Sequence, residues 1–101
     1  MGIETKMSAD GSELQISIDG RFDFSLHQEF RKAYESTDIN PEQYVVDMQA
    51  TTYLDSSALG MLLLLRDHAG GDHANIRIIN GNDDVRKILT ISNFEQLFDI
   101  H

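Results

Sequence analysis

Two adjacent serines follow an aspartate at a place where the sequence predicts the beginning of a helix. Residues 55–60 read Asp-Ser-Ser-Ala-Leu-Gly, and Asp and Ser are preferred at a helix N-cap. The free N–H groups and the dipole of a helix N-terminus favour added negative charge. A phosphate on Ser56 would be tolerated there, and it would add about −1.5 to −2 units of charge beside Asp55. The residues alone leave two interpretations open, a phosphorylation switch or ordinary helix capping.

The helix that follows these serines is unusually rich in apolar residues. We expect it to run from about residue 58 to residue 69 and to end at the Gly-Gly pair that follows. A core-facing stripe at helical spacing accounts for Leu59, Leu62 and Leu63. The remaining large apolar residues, which would face a neighbouring helix or a partner protein, are Met61, Leu64 and Leu65.

The other segments alternate between strands and helices. Apolar patterning indicates strands at residues 3–7, 13–19, 44–48 and 76–79, with a hairpin turn at residues 8–12 and a break at Gly20. Helices are predicted at residues 25–37, where Ser25 and Gln28 resemble a capping box, and after residues 82–84. An apolar tail at residues 94–100 should dock on the body. This order predicts an α/β fold, in which residues 47–57 form a functional loop after a strand.

Composition and charge exclude several classes of function. The 101 residues suffice for one domain, which we expect to span residues 1–101. The net charge of −9 argues against nucleic-acid binding and against docking on an anionic membrane. There is no cysteine, and the longest apolar run, residues 58–65, is too short to cross a bilayer. With no signal peptide at the N-terminus, the expected location is the cytoplasm.

Residues 55–60 resemble the Asp-Ser-Ser/Thr-Gly-Leu-Gly signature of STAS domains, specifically the bacterial anti-sigma factor antagonists. Three further features are similar to that family: the turn at residues 20–23 (Gly-Arg-Phe-Asp), the position of Asp47 near a strand end, and the strand, loop and helix at residues 76–89. The resemblance covers nearly the whole chain. It implies a single STAS domain with a mixed four- to five-stranded sheet and helices packed on it.

The resemblance also implies a function, which is partner switching without catalysis or a cofactor. An unphosphorylated antagonist of this family binds an anti-sigma factor that is often a serine kinase, and phosphorylation releases it. A metal-dependent serine phosphatase reverses the modification. Carried over to this sequence, the acceptor is Ser56, and Ser57 is the second candidate. The residues implied in partner binding are Phe22, Asp23, Ser25, Asp47, Asp55, Ser57, Ala58, Leu59 and Met61.

The chain departs from the family pattern at two points, and other readings stay open. Ala58 stands where the family has glycine, and the additional C-terminal helix of many relatives is expected to be absent. A STAS-type switch could also act on a non-sigma target in motility, biofilm or polysaccharide regulation. A receiver-like domain phosphorylated on Asp47 is a further alternative, although no acidic pair follows the first strand. The sequence lacks the Gly-x-Ser-x-Gly motif of a serine hydrolase. His68 and His73 do not have the spacing of a helical metal site.

Overall fold

A computed structural model of the chain describes residues 2–35 and 41–101. Its strands are β1 (Ile3–Met7), β2 (Glu13–Ile18), β3 (Gly20–Phe22), β4 (Gln43–Asp47), β5 (Thr51–Leu54), β6 (Ile76–Ile79) and β7 (Asp99–Ile100). Its α-helices are α1 (His27–Glu35), α2 (Ser56–His68) and α3 (Asp83–Ile91).

The strands form a main sheet and a small second sheet. The main sheet has the order β1-β2-β4-β6-β7, in which β1 is antiparallel to β2 and the other pairs are parallel. β3 and β5 pair in parallel as a separate two-stranded sheet. After α3 the described chain continues through a 3-10 turn at Phe94–Gln96 to β7, without a further α-helix. The mixed five-stranded α/β sheet is therefore as predicted, and residues 92–101 contain no α-helix.

The core lies between the main sheet and the helices. Alternation in β2 buries Leu14, Ile16 and Ile18 on one face, as its pattern predicts. Against this face pack Phe30 and Tyr34 of α1 and the buried residues of the other two helices. The apolar tail also docks as expected, because Phe94 and Phe98 are buried. None of the helices within residues 2–35 and 41–101 has the length and apolar character needed to cross a membrane.

The strand β2 ends just before Gly20, as predicted, but two short strands were not expected. Gly20 begins β3, and the expected loop at residues 47–57 contains β5. α1 is preceded by a 3-10 turn at Phe24–Leu26 whose N-cap is Asp23, so Ser25 is not the capping residue. The expected end of this helix at residue 37 lies outside the described residues, and α1 is seen as far as Glu35. β3 and β5 are too short to show periodicity and exist because they pair with each other.

The apolar residues of α2 are distributed differently from the prediction. The residues that enter the core are Ala58, Met61, Leu62 and Leu65. Leu63 was assigned to the core but is 41% exposed, and Leu64 is 52% exposed. When apolar residues surround a helix, the sequence does not show which side faces the sheet, so the stripe was placed wrongly by about one residue.

Candidate functional site

The pairing of β3 with β5 brings two helix beginnings side by side. Phe22 and Leu54 are partners in this ladder, and both are buried in the core. The next residue of each strand is an aspartate, Asp23 or Asp55, and each aspartate caps the helical segment that follows. Because Asp23 and Asp55 directly follow partner residues of this ladder, the two aspartates lie at the same end of the β3–β5 sheet.

Asp55 caps the N-terminus of α2. Its Oδ1 accepts hydrogen bonds from the Ser57 hydroxyl at 2.6 Å and from the Ala58 N–H at 3.0 Å. The Ser57 hydroxyl first, and then the Ala58 N–H, hold the pKa of the Asp55 carboxyl below its ordinary value. Asp55 is therefore ionised at neutral pH, and its Oδ1 is used to cap its own helix.

Asp23 has an equivalent arrangement before α1. Its Oδ1 accepts hydrogen bonds from the Ser25 hydroxyl at 2.5 Å and from the Ser25 N–H at 2.9 Å. The Ser25 hydroxyl is the main cause of a lowered pKa of the Asp23 carboxyl. The other carboxylate oxygen, Oδ2, lies 3.6 Å from Nε of Arg21.

Ser56 lies between Asp55 and Ser57 in the chain, and its hydroxyl takes no part in the cap. Its side chain is exposed, and within the described residues its hydroxyl has no hydrogen-bond partner. The hydroxyl of Ser57 is instead donated to Asp55. Ser56 is the first residue of α2, where a helix N-terminus stabilises an added negative charge. Of the two serines, Ser56 is the more exposed, and the hydroxyl of Ser57 is bound to Asp55.

Asp47 is not brought into this group. Its Oδ1 accepts hydrogen bonds from the Gln49 N–H at 3.0 Å and from Nδ2 of Asn80 at 3.1 Å. Its Oδ2 lies 3.5 Å from Nε2 of Gln15. These bonds hold Asp47 at the carboxyl end of the central strand β4, where it lines a cleft with residues of β1 and β2. The structure gives Asp47 a role in joining neighbouring strands.

Three residues predicted to contact a partner are buried in the core. The side chains of Phe22, Ala58 and Met61 pack inward. Strand alternation and helix orientation turn them towards the sheet, so the structure gives them a place in the core, and a contact with a partner stays a prediction. Leu59 is half-buried, and Ser25 is exposed beside α1.

Several exposed residues near the caps were missed in the sequence. Phe24, 68% exposed, lies between Asp23 and Ser25 and stacks on His27 with ring centroids 5.1 Å apart. The guanidinium of Arg21 lies 4.5 Å from the ring centre of Tyr53, its partner across the β3–β5 ladder. The sequence contains one signal that could have indicated both pairs, which is the repeat of Asp-x-Ser at residues 23–25 and 55–57.

The fold is that of a STAS domain. The chain belongs to this family, because the family model described as "Mlab, STAS domain" matches residues 5–99. Among known proteins it is 65% identical to the STAS-domain containing protein PA14_20770 of Pseudomonas aeruginosa strain UCBPP-PA14, over 99% of both chains. The resemblance drawn from residues 55–60 is thereby confirmed for the family.

Solved structures of anti-sigma factor antagonists have the same fold. One from Mycobacterium paratuberculosis superposes with a TM-score of 0.76 at 17% identity, covering 98% of this chain and 85% of that one. SpoIIAA in its unphosphorylated form gives a TM-score of 0.71 at 14% identity, covering 98% and 86%. The phosphorylated form of SpoIIAA, a Bacillus cell fate determinant, gives 0.67 at 14% identity, covering 98% and 90%. At these identities the likeness is one of fold.

Proposed function

We propose that this STAS domain is an anti-sigma factor antagonist that works by partner switching. The unphosphorylated protein binds an anti-sigma factor that is also a serine kinase, and phosphorylation of Ser56 releases it. The observation that carries the proposal is the exposed and unused hydroxyl of Ser56, which lies in the chain between the capping residue Asp55 and the Ser57 hydroxyl bonded to it. A protein of the same fold, SpoIIAA, has been solved in both phosphorylated and unphosphorylated forms, which supports a switch of this kind.

The chemistry of the switch requires no catalytic group in this chain. The Ser56 oxygen forms a bond to the γ-phosphorus of ATP bound to the kinase, ADP leaves, and a base of the kinase takes the proton. A metal-dependent serine phosphatase hydrolyses the phosphoserine and restores the hydroxyl. In this scheme the domain is a substrate and a binding module rather than an enzyme, and it acts in the cytoplasm on transcription.

The release follows from charge at an interface. The phosphate adds about −1.5 to −2 units of charge beside Asp55, on a chain whose net charge is already −9. The helix N-terminus tolerates this charge in the free protein, but a partner would have to desolvate it. A cost of about 2.7 kcal/mol corresponds to a 100-fold loss of affinity. Phosphorylation therefore weakens binding without unfolding the domain.

The surface around Ser56 supplies the partner contacts in this proposal. Asp23 and Asp55 hold the two helix beginnings in place, and Ser25 and Ser57 complete the caps. Phe24, which lies between Asp23 and Ser25 in the chain, provides an exposed aromatic ring next to the Asp23 cap. Aromatic residues of this kind are enriched among the side chains that dominate binding energy.

A binding titration against the serine-kinase anti-sigma factor of the source bacterium tests the proposal. We expect Ser56→Ala to bind like the unphosphorylated wild type, and Ser56→Asp to bind about 100-fold more weakly because its carboxylate must be desolvated. Ser57→Ala is the control for the position of the acceptor, and it should still accept phosphate. Equal affinities of Ser56→Asp and Ser56→Ala would contradict the switch.

Mass spectrometry of the protein purified from its own cells gives a second, independent readout. Phosphate should be found on Ser56, should disappear in Ser56→Ala, and should persist in Ser57→Ala and Ser25→Ala. Phosphate on Ser57 in the wild type would move the acceptor by one residue and disprove the assignment to Ser56.

A further inference from the structure

The main sheet ends in two edge strands that differ in length. β7 contains two residues, whereas β1 contains five and pairs with β2 in an unbroken register. Within the part of the chain that the structure describes, no strand pairs with the other side of β1. Proteins commonly place a proline or a bulge in an exposed edge strand, and β1 has neither. β1 can therefore accept a further strand.

The hydrogen bonds between β1 and β2 show which backbone groups are available at this edge. The Asp19 N–H donates to the Gly2 oxygen at 2.8 Å. Bonded and non-bonded pairs alternate along an antiparallel ladder, so every second residue from Gly2 onwards directs its backbone groups to β2. The residues that direct their N–H and C=O groups to the free edge are Ile3, Thr5 and Met7.

The side chains of β1 are complementary to themselves about Thr5. Glu4 precedes Thr5 and Lys6 follows it, and both are exposed. Ile3 and Met7, two positions away on either side, are half-buried against the core. When a second β1 lies antiparallel with Thr5 opposite Thr5, each Glu4 faces a Lys6 and each Ile3 faces a Met7. Opposite charges and apolar pairs that face each other across two strands stabilise a sheet.

We propose that two copies of this chain pair through β1 about a two-fold axis at Thr5, so that their five-stranded sheets become one continuous sheet. The Thr5 pair exchanges two backbone hydrogen bonds, and each of the two pairs of Ile3 with Met7 exchanges two more. Moving the axis by one residue would place Glu4 opposite Glu4 or Lys6 opposite Lys6, and like charges opposite each other destabilise a sheet. The sequence of β1 therefore favours a second copy as the partner and selects the register.

The charge near β1 permits two acidic chains to approach at this edge. α1 lies beside β1, where Glu29, Lys32 and Ala33 line a groove with Ile3 and Thr5. β1 and α1 together contain three acidic and three basic residues, although the whole chain has a net charge of −9. The long-range repulsion between two copies is therefore weakest when they meet along this neutral border.

This dimer leaves the beginning of α2 accessible in both copies. α2 connects β5 with β6, so it begins at the carboxyl end of the parallel strands and returns to the other end. The two-fold axis reverses the strand direction, which places the two Ser56 residues at opposite ends of the joined sheet. The dimer thus presents two separate acceptor sites, and its formation does not depend on the proposed switch.

Sedimentation analysis of charge-exchange variants tests the proposal. We expect the wild type to form a concentration-dependent dimer in the micromolar range, because the interface is small. Glu4→Lys and Lys6→Glu should each be monomeric, since all facing charges are then alike. The double variant Glu4→Lys/Lys6→Glu should dimerise again, and an equimolar mixture of the two single variants should form a heterodimer.

Lys87→Glu is the matched control, because it changes the net charge as Lys6→Glu does but at an exposed position of α3. It should dimerise like the wild type. A wild type that stays monomeric up to about 1 mM, or single variants that dimerise as the wild type does, would overturn the proposal. Ser56→Asp should also dimerise normally, and its failure to do so would place the contact at α2 and refute the assignment to β1.

Thr5→Pro tests the backbone part of the interface, with Thr5→Val as its control. Proline removes the outward N–H at the axis and leaves the hydrogen bonds to β2 in place, so Thr5→Pro should be monomeric with a melting temperature near that of the wild type. Thr5→Val keeps the N–H and should dimerise. A Thr5→Pro variant that is folded and still dimeric would show that the contact lies elsewhere.

The register can be read from a disulfide, since the chain contains no cysteine. Two Thr5→Cys chains would have their Cα atoms about 5.5 Å apart across the axis, within the range that a disulfide spans. When diamide takes up the two thiol hydrogens, a covalent dimer should form quickly. Ile91→Cys, at a 70% exposed position of α3, measures the rate from random collisions. Equal rates for the two variants would disprove the register.

Discussion

Asp23-Phe24-Ser25 before α1 and Asp55-Ser56-Ser57 at the beginning of α2 share one hydrogen-bonding arrangement. In both, the aspartate accepts a hydrogen bond from the hydroxyl of the serine two residues later, at 2.5 Å and 2.6 Å. In both, the middle residue is exposed, and it is Phe24 in one case and Ser56 in the other. The same Asp–Ser cap therefore occurs twice in the fold, and the two copies differ in the exposed residue between the aspartate and the serine.

The two caps also differ in what they hold. Asp55 bonds to the N–H three residues later and begins a 13-residue helix whose first turn contains the buried Ala58. Asp23 bonds to the N–H two residues later and begins only a 3-10 turn ahead of α1. The Asp55 cap protects a longer helix from fraying than the Asp23 cap does, so we regard the beginning of α2 as the more rigid of the two.

The largest loss of stability is expected from substitution of the two core residues that directly precede the capping aspartates. Phe22→Ala should lower the free energy of unfolding by about 3–5 kcal/mol and Leu54→Ala by about 2–5 kcal/mol, because each leaves a cavity under its cap. For Phe24→Ala, one position after Asp23, the free energy of unfolding should stay within about 0.5 kcal/mol of the wild-type value. Urea unfolding measures all three variants. A large loss of stability in Phe24→Ala would mean that its ring is structural and not part of a binding surface.

A smaller effect is expected from removing the caps themselves. Asp55→Ala should cost about 1–2 kcal/mol of unfolding free energy, and Asp23→Ala about half of that, because Asp23 caps only a short turn. Thermal and urea unfolding of the two variants provide the measurement, with Ser25→Ala and Ser57→Ala as controls that remove only the hydroxyl donor. Equal losses, or a larger one for Asp23→Ala, would reverse the ranking of the two regions.

Local sequence signals predicted one of these regions much better than the other. The beginning of α2 could be identified because Asp-Ser-Ser stands directly before a long apolar segment, and Asp55 is indeed the cap. The beginning of α1 was misplaced, because Ser25 with Gln28 resembled a capping box while Asp23 formed the actual cap. A 3-10 turn between cap and helix gives no periodic signal.

The proximity of the two regions could not be predicted from local patterns. It depends on the three residues of β3 pairing with the four residues of β5, which are about 30 positions away and show no strand alternation of their own. Likewise, the large apolar residues of α2 are chemically similar, so only packing against the sheet decides that Leu62 is buried and Leu63 is exposed. Sheet pairing and helix rotation are tertiary effects, and the candidate site depends on both.

The smallest effect is expected from acid titration of the two caps. The pKa values of Asp23 and Asp55 lie below the ordinary value of 3.8, because the serine hydroxyls stabilise the carboxylates. A carboxyl whose pKa is lowered by folding adds stability that is present above the unfolded pKa and is lost as pH falls through the folded pKa. The melting temperature of the wild type should therefore fall as pH drops below about 4.

Asparagine at the same positions keeps the capping geometry but cannot titrate. Asp55→Asn and Asp23→Asn should each have a melting temperature near that of the wild type at pH 7 and a shallower decline below pH 4. Asp10→Asn, in the turn between β1 and β2, is a positive control, because hydrogen bonds from Ser12 lower the pKa of Asp10 to about 2. If Asp10→Asn flattens the acid decline and the two cap variants do not, the caps are held by geometry alone, and the charge on Asp55 is free to respond to a phosphate on its neighbour.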